Sequence, residues 1–261
     1  MTEPGAPPSH GARRIDLLGI PLDVVSTGDV LRRVQEAVEG TATGRAAPLR
    51  HVALNANKWL SAKENPLLAA AIRGAGLVSA DGMGVLLLAR RLGHRFPERV
   101  TGIDTMRRVV NLAAQRGWPI FLLGAEAGVA EAAAQALKAE APGLHVAGTA
   151  HGWFADAEAA SVAEGVARSG ASVLFVAMGT PRQEWFAAEF GERCGVRYVL
   201  GVGGAFDVLS GRRRRAPGLV QRAGLEWLFR WAQEPSRLAG RYGWGGFRFA
   251  REFLRARRGR G

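Results

Sequence analysis

Up to about residue 205, short apolar runs alternate with longer helical stretches, the pattern of parallel strands joined by crossover helices. Strands are predicted at His51–Asn55, Leu77–Ala80, Pro119–Leu123, His145–Thr149, Ser172–Met178 and Arg197–Gly201, most of them bounded by Gly, Pro, Asn or Asp. Two helix starts can be read directly. Ser26 with Asp29 three residues on resembles a capping box, and Asn65 before Pro66 places an N-cap ahead of a proline at the first helical position. The expected fold is therefore α/β, a Rossmann-like, mostly parallel sheet with flanking helices, over residues 15–210. After Gly211 the strand pattern stops. Leu225, Leu228, Phe229 and Ala232 form an apolar helical face, and Phe249, Ala250, Phe253 and Leu254 suggest another. Residues 211–261 are expected to form a basic, amphipathic helical appendage.

The 261 residues, 48% of them hydrophobic, are enough to bury a sizeable core, which argues against a disordered chain. Charge is divided unevenly. Of the net +12, nearly all lies from Gly211 onward, where 14 Arg face 3 Glu, and four Trp or Tyr residues (Trp227, Trp231, Tyr242, Trp244) are interleaved with them. The single cysteine, Cys194, cannot form an internal disulfide, and sites built from several thiolates are excluded, which suits a reducing cytoplasm. Met1–Arg14 carries no apolar segment of the signal-peptide kind and is expected to be a disordered tail. No run approaches the roughly 18–20 apolar residues of a membrane span, so the chain is expected to be soluble or peripheral.

In open α/β sheets, ligands bind beyond the carboxyl ends of the strands. Asn55 and Asn57, Asp81-Gly82, Gly124, Gly179 to Gln183, and Gly201 to Gly204 all fall at such ends. Asp81 has a simpler alternative role, as the cap of a helix beginning near Met83. Neither Gly82-Met83-Gly84 nor Gly201-Val202-Gly203 completes a G-x-G-x-x-G fingerprint, and there is no Walker A motif. The five histidines show no zinc-type spacing and Asp-x-Asp is absent, so neither metal nor cofactor is expected. A departing diphosphate would then be met by arginines such as Arg99 and Arg182 and by helix N-termini.

Taken in order, Leu54-Asn55-Ala56-Asn57, Ala80 to Val85, Glu98 to Asp104, Gly179 to Glu184, Gly203 to Asp207, Arg215-Ala216-Pro217, Leu225 to Arg230, Glu234 to Arg237 and Arg241-Tyr242 resemble the WecG/TagA/CpsF family of glycosyltransferases. That family builds enterobacterial common antigen, teichoic acid linkage units and capsular polysaccharides. The resemblance runs from about Ile15 to Tyr242. It implies inverting transfer from a UDP-sugar, N-acetylmannosamine or a related hexose, to an undecaprenyl-diphosphate-linked sugar at the inner face of the membrane. By motif position Asp81 corresponds to the proposed base, and Asn55, Arg99 and Gln183 to other polar pocket residues. Asn57, Thr101, Gly124, Gly179, Gly203, Arg230, Arg237 and Arg241 complete the expected substrate contacts. Where the family often has Thr two residues before the asparagine, this chain has Ala53.

The basic aromatic tail is expected to meet an anionic membrane surface. Its composition also fits nucleic-acid binding, but no RRM, KH or helix-turn-helix signature accompanies it, and no nucleic-acid partner is expected. The other alternative, a nucleotide-cofactor enzyme such as a reductase, is disfavoured by the broken glycine fingerprints. Homo-oligomer formation is left open by the sequence.

Overall fold

The computed structural model describes residues 13–40, 47–222, 226–233 and 245–258. All six predicted strands form. They are β3 (Leu49–Leu54), β4 (Leu77–Ala80), β5 (Ile120–Gly124), β6 (Val146–Ala150), β7 (Val173–Ala177) and β8 (Tyr198–Gly201), joined in one all-parallel sheet of order β4-β3-β8-β7-β5-β6. Strands β4, β5 and β7 are buried along their whole length, as expected of parallel strands covered on both faces.

The period-two alternation sends successive residues into different cores. Val173, Phe175 and Ala177 pack with α1 (Thr27–Glu39), α5 (Gly102–Arg116), α6 (Val129–Glu140) and α9 (Ala205–Leu209). Leu174 and Val176 face α7 (Ala159–Arg168) and α8 (Arg182–Phe190) on the opposite side. Farther along that second face, Val52, Leu54, Val78 and Ala80 pack with α2 (Ala56–Glu64), α3 (Pro66–Arg73) and α4 (Met83–Arg91). Both expected helix starts are present. The Ser26 hydroxyl and the Asp29 carboxylate cap α1 reciprocally, and Asn65 caps α3 ahead of Pro66.

Before the sheet, β1 (Arg14–Asp16) and β2 (Pro21–Asp23) pair antiparallel. Three-residue strands are too short to display an alternation, and they escaped the sequence pattern. The pair is fastened by Asp23, whose fully buried carboxylate accepts from the Arg14 guanidinium at 2.7 and 2.8 Å and from the Val78 N–H at 2.7 Å. Arg14, the last residue of the expected tail, is thus part of the fold, while residues 1–12 lie outside the described residues.

Beyond the sheet come α10 (Gly218–Arg222), α11 (Glu226–Gln233) and a further helix, α12 (Gly245–Arg258). The connection into them is tied to the α/β layers. Arg215 reaches Asp104 at 2.8 Å and Arg213 reaches Asp207 at 3.5 Å, while Ala216 is buried. Helix α12 lies on α2 and α4: Phe249 meets the fully buried Trp59 edge to face with ring centroids 5.9 Å apart, and Arg91 stacks on Phe253. Of the apolar face expected on α12, Phe249 and Phe253 point inward, whereas Leu254 is 63% exposed. Phe247, equally exposed, lies one heptad before Leu254, so α12 presents a second apolar stripe to solvent. Among the described residues no helix is long and apolar enough to cross a membrane.

Candidate active site

Strands β3 and β4 end side by side, and the turn that follows each brings their polar residues together. Asn55 caps α2, its Oδ1 accepting the Lys58 N–H at 3.0 Å. The Asp81 N–H donates to the Leu54 carbonyl at 2.8 Å, which extends the ladder by one residue past β4. Gly82 then takes φ +153°, and a Cβ there would stand 3.5 Å from the Asn55 Cβ. Gly82 is the N-cap of α4, and Asp81 is the residue directly before it. Asp81 is half-buried, one residue past the Leu54–Ala80 pair of the ladder.

The chain returns to this corner after α4. The Val100 N–H donates to the Ala80 carbonyl at 3.0 Å, which sets Arg99 and Thr101 alongside the end of β4. Thr101 is buried and caps α5: its hydroxyl donates to Asp104 at 2.6 Å and accepts the Asp104 N–H. Burial pushes the Asp104 carboxyl up, but the Thr101 hydroxyl and the Arg215 guanidinium outweigh it and hold the group below its ordinary range. Arg99 forms an ion pair with Glu226 of α11 at 2.7 Å, joining the helical appendage to the edge of the crevice. Ala53 is buried against the start of α5, where a Cβ on Gly102 would lie 3.4 Å from its own Cβ.

At the centre of the sheet Gln183 is only 2% exposed. Its Oε1 accepts the Gly203 N–H at 3.1 Å and its Nε2 donates to Glu184 at 2.8 Å, so the amide braces the turn after β8. Gly201 makes room for it, since a Cβ at that position would fall 2.6 Å from Nε2. Gly179, with φ +74°, accepts the Gln183 backbone N–H through its carbonyl. Gly124 closes β5 against β7, where a Cβ would come within 2.5 Å of the Ala177 carbonyl. Arg182 donates to the Gly152 carbonyl at 2.7 Å and to the Phe154 carbonyl while stacking on the Phe154 ring, so its guanidinium is committed to the loop after β6.

The expected site residues therefore line a single edge of the sheet. Asn55, Asn57, Asp81, Arg99 and Thr101 gather at β3 and β4, Gly179, Gln183 and Gly203 at β7 and β8, and Gly124 at β5, about 19 Å from β4 by strand spacing. Asn57 lies in the first turn of α2, with its Oδ1 3.9 Å from where a Gly245 Cβ would sit, and so faces the start of α12. The Arg230 backbone belongs to α11, while its side chain, Arg237 and Arg241 lie outside the described residues.

Sequence reading missed two charged residues here. Lys58 and Glu184, both buried, pair at 2.8 Å between α2 and α8. Glu184 closes a quoted motif, but a charge inside the core leaves no periodic signal. His51, also buried, bridges the Tyr198 hydroxyl at 2.7 Å and Ser79 Oγ at 2.8 Å. Burial, with help from the Lys58 and Arg33 charges, pushes its pKa down to about 3. Burial likewise pushes the Cys194 thiol up to about 12, leaving it un-ionised. Among the described residues no three His, Cys, Asp or Glu side chains are grouped so as to hold a metal ion.

In an open, all-parallel α/β sheet, ligands bind in the crevice beyond the carboxyl ends of the strands, where these polar residues gather. Residues 15–261 match the WecG/TagA/CpsF glycosyl transferase family, and the chain belongs to that family. It is a glycosyltransferase, and membership implies a sugar donor, a lipid-linked acceptor and a part in building cell-surface polymers.

Proposed function

We propose that the protein moves a sugar, N-acetylmannosamine or a related hexose, from its UDP carrier to an undecaprenyl-diphosphate-linked sugar, with inversion at the anomeric carbon. Asp81 is the general base. Its carboxylate takes the proton of the acceptor hydroxyl, the hydroxyl oxygen attacks the anomeric carbon, and the bond to the departing UDP breaks on the opposite face. A diphosphate leaves without protonation by an acid, so a single carboxylate suffices. The charge that develops is met by arginine and by backbone N–H groups in the glycine-lined turns.

The observation that carries this reading is the placement of Asp81. In a chain of this family it stands next to Asn55 in the register of the sheet, at the adjoining ends of β3 and β4, where its N–H continues the ladder onto the Leu54 carbonyl. The membrane face is supported by Leu219, Leu228, Trp231, Phe247 and Leu254, all exposed on the C-terminal helices of a segment carrying 14 arginines. Apolar side chains among arginines suit the boundary between anionic headgroups and acyl chains, where a lipid-diphosphate acceptor lies.

The test is a panel of UDP-sugars offered with a lipid-diphosphate acceptor ending in N-acetylglucosamine. Asp81→Asn should lower kcat by about 10²–10⁴-fold, the usual contribution of a general base, with UDP still bound. Turnover near that of the unaltered chain would overturn the base assignment. Transfer from none of the donors would overturn the substrate assignment.

A further inference from the structure

Buried ion pairs are an inefficient way to stabilise a fold, because desolvation offsets much of their attraction. The Lys58–Glu184 pair is nevertheless almost wholly enclosed, with the two side chains 6% and 2% exposed. Its position accounts for it. Lys58 belongs to the first turn of α2, and its N–H is held by the Asn55 side chain. Glu184 Oε1 receives both the Lys58 ammonium and the Gln183 amide, each at 2.8 Å. The other end of that amide holds the Gly203 N–H. Asn55 at the end of β3 thus holds the backbone of Lys58, whose ammonium begins a polar chain through Glu184 and Gln183 to the turn after β8. Glu184 Oε2 is buried without a hydrogen-bond partner and borders a cavity of about 10 Å³, room for roughly one water, lined also by His51, Gln183 and Gly201.

We infer that Lys58 and Glu184 are positioning residues for the transfer reaction, and that their ion pair orients Gln183 and fixes the Gly201–Gly204 turn against which the donor's diphosphate lies. The Gln183 amide is anchored at both ends. The Gly203 N–H can only donate and the Glu184 carboxylate can only accept, so both partners fix the amide in the same direction; without the carboxylate, Nε2 is left buried with no acceptor and the amide loses one of its two anchors. The inference rests on the proposed crevice for a UDP-sugar, but its first consequence, order at Gly203, needs no substrate.

The experiment uses the full chain with the paired substitution Lys58→Met/Glu184→Met, which removes both charges and keeps the volume. The variant should fold with a thermal midpoint near that of the unaltered chain, and the Gly203 amide should exchange its hydrogen at least tenfold faster. In transfer assays KM for the donor should rise about tenfold with KM for the lipid acceptor unchanged, whereas a merely structural defect lowers the active fraction and leaves KM alone. Gln183→Leu should give the same donor effect, and combining it with the paired substitution should add nothing, because both act through one turn. Unchanged Gly203 exchange in the folded variant, or additive effects on KM, would overturn the inference. If the paired variant does not fold, Glu184→Gln is measured in its place: faster exchange at Gly203 supports the inference and unchanged exchange refutes it. If Gly203 loosens as expected while no UDP-sugar binds the unaltered chain, the brace stands and the substrate assignment falls.

Discussion

His51 provides a pH-dependent handle on the sheet, within the strand that ends at the candidate site. Its ring is fully enclosed between Tyr198 and Ser79, and Ser79 in turn donates to the Val100 carbonyl at 3.3 Å, next to Arg99 and Thr101. In the folded chain the imidazole stays neutral down to about pH 3, while in the unfolded chain it takes up a proton below about pH 6.5. Between those values the unfolded state holds one more proton than the folded one, so this contribution is fully present above pH 6.5 and is lost as the pH falls. The slope is about 1.4 kcal/mol per pH unit, or about 2 kcal/mol between pH 6.5 and 5, a window above the range in which ordinary carboxylates titrate. Urea unfolding at several pH values measures it directly, with His51→Gln as the comparison. That variant should start less stable by about 1–3 kcal/mol, since two buried hydroxyls lose their imidazole partner, and its stability should vary less with pH across the window. Equal slopes for the two proteins between pH 6.5 and 5 would refute the enclosure of His51 as the cause.

Further consequences can be checked separately. Transfer should survive EDTA, because neither an Asp-x-Asp motif nor a metal-binding cluster among the described residues offers a site; loss of activity restored by Mn²⁺ or Mg²⁺ would overturn this. Phe247→Ser with Leu254→Ser should leave the thermal midpoint nearly unchanged, since both side chains face solvent, yet reduce sedimentation with anionic liposomes by about tenfold or more, given about 1.5–3 kcal/mol for each apolar side chain fully buried. Glu226→Gln should cost no more than about 1 kcal/mol of stability, as expected for a partly exposed pair, while hydrogen exchange in α11 quickens; unchanged exchange would show that Arg99 does not hold that helix.

Five of the six sheet strands were legible as apolar runs, and most are bounded by a turn residue; β4, β5 and β7, buried on both faces, need nothing subtler, whereas the edge strand β6 is only half-buried along its length. Asn55, Asp81 and Gly203 were legible for a related reason, since polar or glycine residues directly after such runs must lie at strand ends. The function of Gln183 and Thr101 was less visible. Both stand in family motifs, but only the folded arrangement reveals that one amide braces a turn and one hydroxyl caps a helix. Lys58 and Glu184 are far apart in sequence and meet only when α2 and α8 pack across β3 and β8. The second apolar stripe of α12 was hidden for the opposite reason. Its residues look like core in sequence, and only the orientation fixed by Phe249 on Trp59 turns Phe247 and Leu254 outward.

Helix α12 is far removed from α2 along the chain, yet it covers Trp59 there. Until α12 docks, the sheet can assemble, but the corner beside Asn57 stays uncovered and the Trp59 edge is open. Chains that stop short of residue 245 should carry an intact sheet with an apolar scar next to the active site, a surface that chaperones and proteases recognise.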